Sequence, residues 1–213
     1  MQFRMTFGNQ IILAILAIIG ISVVTYKSDI FSDGPKKHFI ENFPLVEQPD
    51  QITCGPTSAL MLLKYYGDDQ VTLNQVKSHS KTHWFNYGGA PIGMTAPDVL
   101  ASALNKLGLP CKMMKGDIPQ LKKMISEGRP SIVLVRSGEY TWHYVVAIGY
   151  DEEGITVADP GWGMRRTLKN EHFHGTWSFA TDMSGEESKD KIVAGLLSLA
   201  EVHPFTMIVP NEI

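Results

Sequence analysis

Three residues at wide but ordered spacing could do chemistry in this chain: Cys54, His143 and Asp159. A nucleophilic thiol needs an imidazole to share its proton and a carboxylate or amide to fix the imidazole's tautomer, and these three supply that set in order. Cys54 opens the run Cys-Gly-Pro-Thr-Ser-Ala-Leu-Met-Leu-Leu-Lys-Tyr-Tyr-Gly67. Pro56 suits a first helical turn, and Ala59, Leu60, Leu62, Leu63 and Tyr66 form an apolar face that Gly67 ends, so Cys54 is expected at a helix start. The partial positive charge there favours thiolate, the nucleophilic form. A free cysteine is also often just a small buried hydrophobe, and that alternative stays open on this stretch alone.

The elements that must position the other two residues are a pair of strands. Thr141-Trp-His143-Tyr-Val-Val-Ala-Ile-Gly-Tyr150 and Ile155-Thr-Val-Ala-Asp159 flank the acidic turn Asp151-Glu-Glu-Gly154. The pattern predicts a hairpin with His143 near the start of one strand and Asp159 at the end of the next, hence at the same end of the ladder.

With these motifs in place the chain resembles the papain-fold cysteine peptidases of the double-glycine leader family, which trim leader peptides in bacteriocin exporters and also occur as free-standing bacterial proteins. The family pattern is a glutamine six residues before Cys-Gly, a His opening an apolar strand that ends in Gly-Tyr-Asp, and an Asp-Pro sixteen positions after the His. Gln48, Cys54-Gly55, His143 with Gly149-Tyr150-Asp151, and Asp159-Pro160 match it in order. The resemblance implies an α+β, papain-like fold whose helical half carries Cys54 and whose antiparallel sheet carries His143 and Asp159. It also implies a cysteine peptidase acting on a peptide or protein substrate through a thioester, without a cofactor. By the same resemblance Gln48, rather than the nearer Gln51, donates to the oxyanion together with the Cys54 backbone N–H. An acyl transferase or amidase on the same fold, or a non-catalytic peptide-binding module, remain as alternatives from other classes. The member expected is a free-standing one, without a transporter domain.

The rest of the chain bounds these readings. In 213 residues, 44% hydrophobic with a net charge of -3, no arginine-rich or aromatic-interleaved stripe occurs, so nucleic acid is not the expected partner. The other cysteine, Cys111, leads into Lys-Met-Met and reads as a strand residue; two cysteines make no disulfide framework. His172 and His174 lack further ligands at zinc spacing, and His83 reads as structural, so no metal is expected. Helices are predicted after Thr72, over 97–107 and over 118–127, and a buried strand over 131–135. Trp84–Met94, rich in aromatics and glycine, reads as a loop, either a substrate wall or a cover on the core.

Four regions are expected. Residues 1–26 carry Arg4 and then an uncharged apolar run, and form a membrane anchor or signal sequence; residues 27–42 are a polar linker; residues 43–183 are the peptidase domain; residues 184–213 are a C-terminal extension. The extension contains an apolar stretch, 192–200, expected to be a helix that packs on the domain, a membrane or a partner. The short N-terminal flank places the catalytic domain outside the cytoplasm, membrane-anchored or secreted if the segment is cleaved.

Overall fold

Helix α1 (Cys54–Tyr65) buries its first ten residues, which makes it a central rather than a surface helix. The computed structural model describes residues 35–81, 83–87, 90–138, 141–179 and 203–212, with backbone alone for 83–87 and 90–94. Helix α2 (Leu73–Ser80) starts at a capping box between Thr72 and Gln75, as expected. Helix α3 (Pro97–Lys106) begins two residues after Thr95, behind Ala96 and with Pro97 in its first turn, and α4 (Ile118–Ser126) is capped by Asp117, whose carboxylate accepts from Gln120 N–H. Helix α5 (Asn170–Trp177) buries Phe173 and Trp177.

The strands of the main sheet are β1 (His38–Phe39), β4 (Cys111–Lys115), β5 (Ser131–Gly138), β6 (Thr141–Tyr150), β7 (Gly154–Asp159), β8 (Met164–Lys169) and β9 (Thr206–Pro210). Their order is β4-β9-β5-β6-β7-β8, and β1 pairs with the end of β6 that β5 does not reach. The pairings among these strands are all antiparallel. The predicted hairpin is β6–β7. Its turn is closed by the Asp151 carboxylate, which accepts from the N–H groups of Glu153 and Gly154. The fold is therefore α+β and papain-like, with Cys54 opening a helix and His143 and Asp159 on the antiparallel sheet.

Three boundaries differ from those expected. Residues 38–39, placed in a linker, are strand β1, and Ile40 N–H continues the pairing by donating to Ile148 C=O at 2.8 Å. Part of the expected C-terminal extension is β9, inserted between β4 and β5 and buried along its whole length. Both its edges are paired, with β4 and β5, and its Met-Ile-Val run is apolar on both faces, as a strand buried on both sides requires. The compact unit accordingly spans Lys36–Ile213. Lastly, Trp84–Met94 is not a loop but most of a two-stranded hairpin, β2 (His83–Tyr87) with β3 (Ala90–Met94), paired from His83↔Met94 to Tyr87↔Ala90. Trp84, Phe85 and Tyr87 in β2 are residue types that favour a strand, and the sequence Gly88-Gly89 that follows suits a break between two strands. The proposed N-terminal anchor and the 192–200 helix lie outside the described residues. Among the described residues no helix is long and apolar enough to cross a membrane.

Because Ile208 is fully buried and faces Ile132 across the β5–β9 pairing, Ile208→Ala should lower unfolding free energy by about 2–5 kcal/mol in a denaturant titration. Loss below half a kcal/mol would show that β9 is peripheral rather than part of the core.

Candidate active site

Local sequence sets up Cys54. The Asp50 carboxylate accepts from the backbone N–H groups of Ile52 and Thr53, both at 3.0 Å, and this tight turn delivers the chain into α1. The first intrahelical bond runs from Thr57 N–H to Thr53 C=O, so the N–H of Cys54 has no acceptor within the helix. Gly55 then allows close approach to β6. A Cβ at that position would lie 3.1 Å from the Tyr144 ring and 3.5 Å from Leu100. The Ser58 hydroxyl donates to Tyr144 C=O at 3.3 Å, and the Tyr144 hydroxyl donates to Thr95 C=O at 2.7 Å.

This packing brings the helix start to His143. The imidazole Nε2 meets Asp159 Oδ1 at 2.6 Å, which leaves Nδ1 for the Cys54 thiol, and the thiol is near enough to the ring to raise its proton affinity. Register explains the His143–Asp159 contact. Val146 pairs with Ala158, so one step further Asp159 stands opposite Val145, and His143 is its diagonal neighbour on the same side of the sheet. Asp159 is 3% exposed, and all its donors are identifiable: His143 and Gly161 N–H on Oδ1, the latter at 2.9 Å, and Arg166 Nη1 on Oδ2 at 2.7 Å. Gly161 passes close over the pair, since a Cβ there would lie 3.2 Å from Asp159 Oδ1 and 3.5 Å from the imidazole.

Gln48 sits on the far side of the same turn. Its backbone N–H donates to Pro160 C=O at 2.8 Å, and its side-chain Nε2 donates to Asp50 C=O at 2.6 Å. An amide nitrogen carries two hydrogens, so a second one remains for a ligand. Thus Cys54, His143 and Asp159 are in contact, and Gln48 is tied by its backbone to the residue after Asp159. Cys111 is elsewhere. It opens β4, exchanges hydrogen bonds with the Asn105 side chain, and both thiols are free. Among the described residues no group of three or more His, Cys, Asp or Glu is arranged to hold a metal. The sequence reading missed Asp50, Gly161 and Arg166. The signal for Arg166 was available: in a tight β7–β8 hairpin a residue seven after Asp159 returns to the same side of the sheet.

Electrostatics follow from burial and these partners. Burial alone would push the His143 imidazolium down, but the hydrogen bonds of Asp159 and Cys54 and their charges outweigh it and raise the group from its ordinary 6.5 to about 9. Burial would likewise push the Asp159 carboxyl up. The His143 hydrogen bond and charge, with Arg166 and Gly161, outweigh it and hold the group below its ordinary value. Burial pushes the Cys111 thiol up to about 12. The cluster is built to hold a protonated imidazole between a thiol and a carboxylate, the arrangement of a thiol hydrolase.

A helix-start cysteine, a strand histidine and a buried aspartate joined in this way on a helix-plus-antiparallel-sheet scaffold define a cysteine peptidase of papain-like fold. Residues 40–184 match the family model described as Peptidase_C39 like family, and the chain belongs to that family. Among solved structures it is similar to a Bacillus anthracis protein described as a C39-like peptidase, at 18% identity and TM-score 0.60, covering 84% of this chain and 99% of that one. It is also similar to the peptidase domain of Streptococcus ComA, a bifunctional ABC transporter involved in quorum sensing, at 20% identity and TM-score 0.54, covering 80% of this chain and 100% of that one. At these identities the likeness speaks for the fold. A search of curated protein sequences returns no match.

Two consequences can be measured. A raised histidine stabilises the fold fully below pH 6.5 and ceases to as pH climbs through about 9, while a lowered aspartate does so above its ordinary 3.8 and ceases to as pH falls below it. Stability should therefore be flat between about pH 3.8 and 6.5 and fall on both sides, and His143→Ala should remove the part of the alkaline fall that begins just above pH 6.5. Iodoacetamide at mildly acidic pH should modify Cys54 and spare Cys111, as read by peptide mapping; preferential modification of Cys111 would contradict this assignment.

Proposed function

We propose that this peptidase hydrolyses peptide bonds through a thioester on Cys54. The observation that carries the reading is the His143 ring held between the Cys54 thiol and the Asp159 carboxylate. The Cys54 sulfur, its proton on His143, attacks the peptide carbonyl carbon and the carbonyl oxygen becomes an oxyanion. The backbone N–H of Cys54, without a partner in its helix, and the second Nε2 hydrogen of Gln48 stabilise that charge. As the oxyanion collapses, the C–N bond breaks and His143 gives its proton to the departing amine. Water, losing a proton to His143, then attacks the thioester carbonyl, and the sulfur leaves as the acid product forms. Asp159 stays ionised throughout and holds the imidazole.

Cys54→Ala and His143→Ala should each abolish cleavage of a peptide pool, read by mass spectrometry, with the fold intact, because groups that share one proton fail together. Gln48→Ala should lower turnover by roughly a hundredfold, the loss of one oxyanion donor, with little change in substrate affinity, and Asp159→Asn should be less severe than His143→Ala. A Gln48→Ala enzyme with full turnover would assign the oxyanion to other donors. Running the same pool with competing amines separates hydrolysis from acyl transfer.

The reading extends to location. The uncharged, apolar composition of residues 5–26 supports a tether that leaves the catalytic domain outside the cytoplasm, or a signal that releases it. Deleting residues 1–30 should turn a membrane-sedimenting protein soluble with peptidase activity retained. A full-length chain found in the soluble fraction with its N-terminus intact would remove this part of the proposal.

A further inference from the structure

Strand β8 carries two consecutive arginines with different destinations. Successive side chains of a strand point to opposite faces, and Arg165 lies over the Phe39 ring at 4.9 Å while Arg166 reaches Asp159. The ladder makes the second contact available. Arg166 pairs with Val157, two residues before Asp159, so it is the diagonal neighbour of the aspartate across the β7–β8 hairpin, within reach of a long side chain.

The contact joins an arginine side chain that is 45% exposed to an aspartate side chain that is 3% exposed. It therefore differs from the ordinary surface ion pair, in which both partners are solvated and little is gained. It also differs from the other two contacts of Asp159 in the oxygen it uses. His143 and Gly161 both hold Oδ1, and Arg166 holds Oδ2. A carboxylate held by one oxygen can turn about its terminal bond; held by both, from strands on either side, it cannot turn without breaking a charge-assisted bond. The charged or titratable groups around it are His143 on β6, Cys54 at the start of α1 and Arg166 on β8, and Glu47 from the segment ahead of Gln48 lies against Gly163 in the turn.

We propose that Arg166 is a positioning residue for the catalytic pair: through Oδ2 it locks the Asp159 carboxylate so that Oδ1 stays on His143 Nε2. The role rests on Cys54 and His143 acting as that pair. Arg166 touches neither of them, and it acts through Asp159.

The test uses the full chain and needs no known substrate. The rate at which iodoacetamide alkylates Cys54, with sulfur displacing iodide, is followed against pH in wild type, R166Q and R166K. Removing a cation disfavours the anionic thiolate and carboxylate and favours the imidazolium, so in R166Q the pH of half-maximal alkylation should rise by roughly half a unit. Cleavage of the peptide pool should slow by roughly tenfold, the loss of one charge-assisted hydrogen bond at a partly exposed group. R166K keeps the charge but not the planar fork, so its alkylation profile should return to that of wild type while cleavage stays several-fold slow. An R166Q profile that does not move, whatever happens to its thermal midpoint, would show a merely structural arginine and overturn the proposal. Should R166Q not fold, R166K decides: cleavage at the wild-type rate would overturn the locking role. A wild-type Cys54 that alkylates only as an ordinary thiol is a separate failure, of the catalytic pair itself, and the arginine's role would fall with it.

Discussion

Everything in the site depends on keeping a buried carboxylate charged. A carboxylate taken out of water tends to protonate, and a protonated Asp159 would have little hold on an imidazolium. Three donors from three parts of the chain prevent it: His143 on β6, the Gly161 N–H in the turn and Arg166 on β8. Since two of them stand on the strands that flank or cross from β7, the register of the sheet is a condition of the chemistry. A one-residue slip would send His143 or Arg166 to the opposite face.

The second constraint is the distance between sheet and helix, and the residue next to His143 sets it. Tyr144 takes the Ser58 hydroxyl on its carbonyl, reaches Thr95 C=O with its own hydroxyl, and lies flush against Gly55. It thereby joins β6 to α1 and to the segment that leads into α3. The neighbour of His143 thus holds the neighbour of Cys54. Any larger residue at 55 would push the Cys54 end of the helix away from the sheet, which is the physical reason for glycine directly after the cysteine. Proton sharing between sulfur and imidazole is a matter of tenths of an ångström, so a core contact here acts on the site itself.

Much of this was legible in the chain, and the division follows how far each contact reaches. Cys54 could be read because the helix it opens has a local pattern, and His143 with Asp159 because a hairpin joins strands through a turn whose own residues, Asp151 and Gly154, announce it. Gln48 could be placed by its spacing from Cys54 but not by physics, because its anchor, Pro160 C=O, is far along the chain. Strand β9 could not be placed for the same reason. Its partners lie around 111–115 and 132–133, and nothing in Thr-Met-Ile-Val-Pro names them. The β2–β3 ribbon was hidden differently: aromatics and glycines suit a loop as well as a ribbon, and only pairing distinguishes the two.

Arg166 shows why an internal ionic cluster can be tolerated here at all. When the imidazole has taken the thiol proton, the charges run thiolate, imidazolium, carboxylate, guanidinium, alternating in sign and summing to zero from Cys54 to Arg166. Isolated buried charges are costly and paired ones only less so, because each loses its water. Alternation gives every interior charge opposite neighbours, and the last member of the row is the one that keeps contact with solvent. The arginine end can therefore shed part of its charge cost into water while its inner end holds the aspartate. A hydrophobic residue at 166 would leave Asp159 with donors on Oδ1 alone and the row with a net negative charge, conditions that favour a protonated carboxyl and weaken its hold on the imidazole. The charge of the aspartate, and with it its hold on the imidazole, thus rests in part on a partly exposed cation two strands away from the ring it supports.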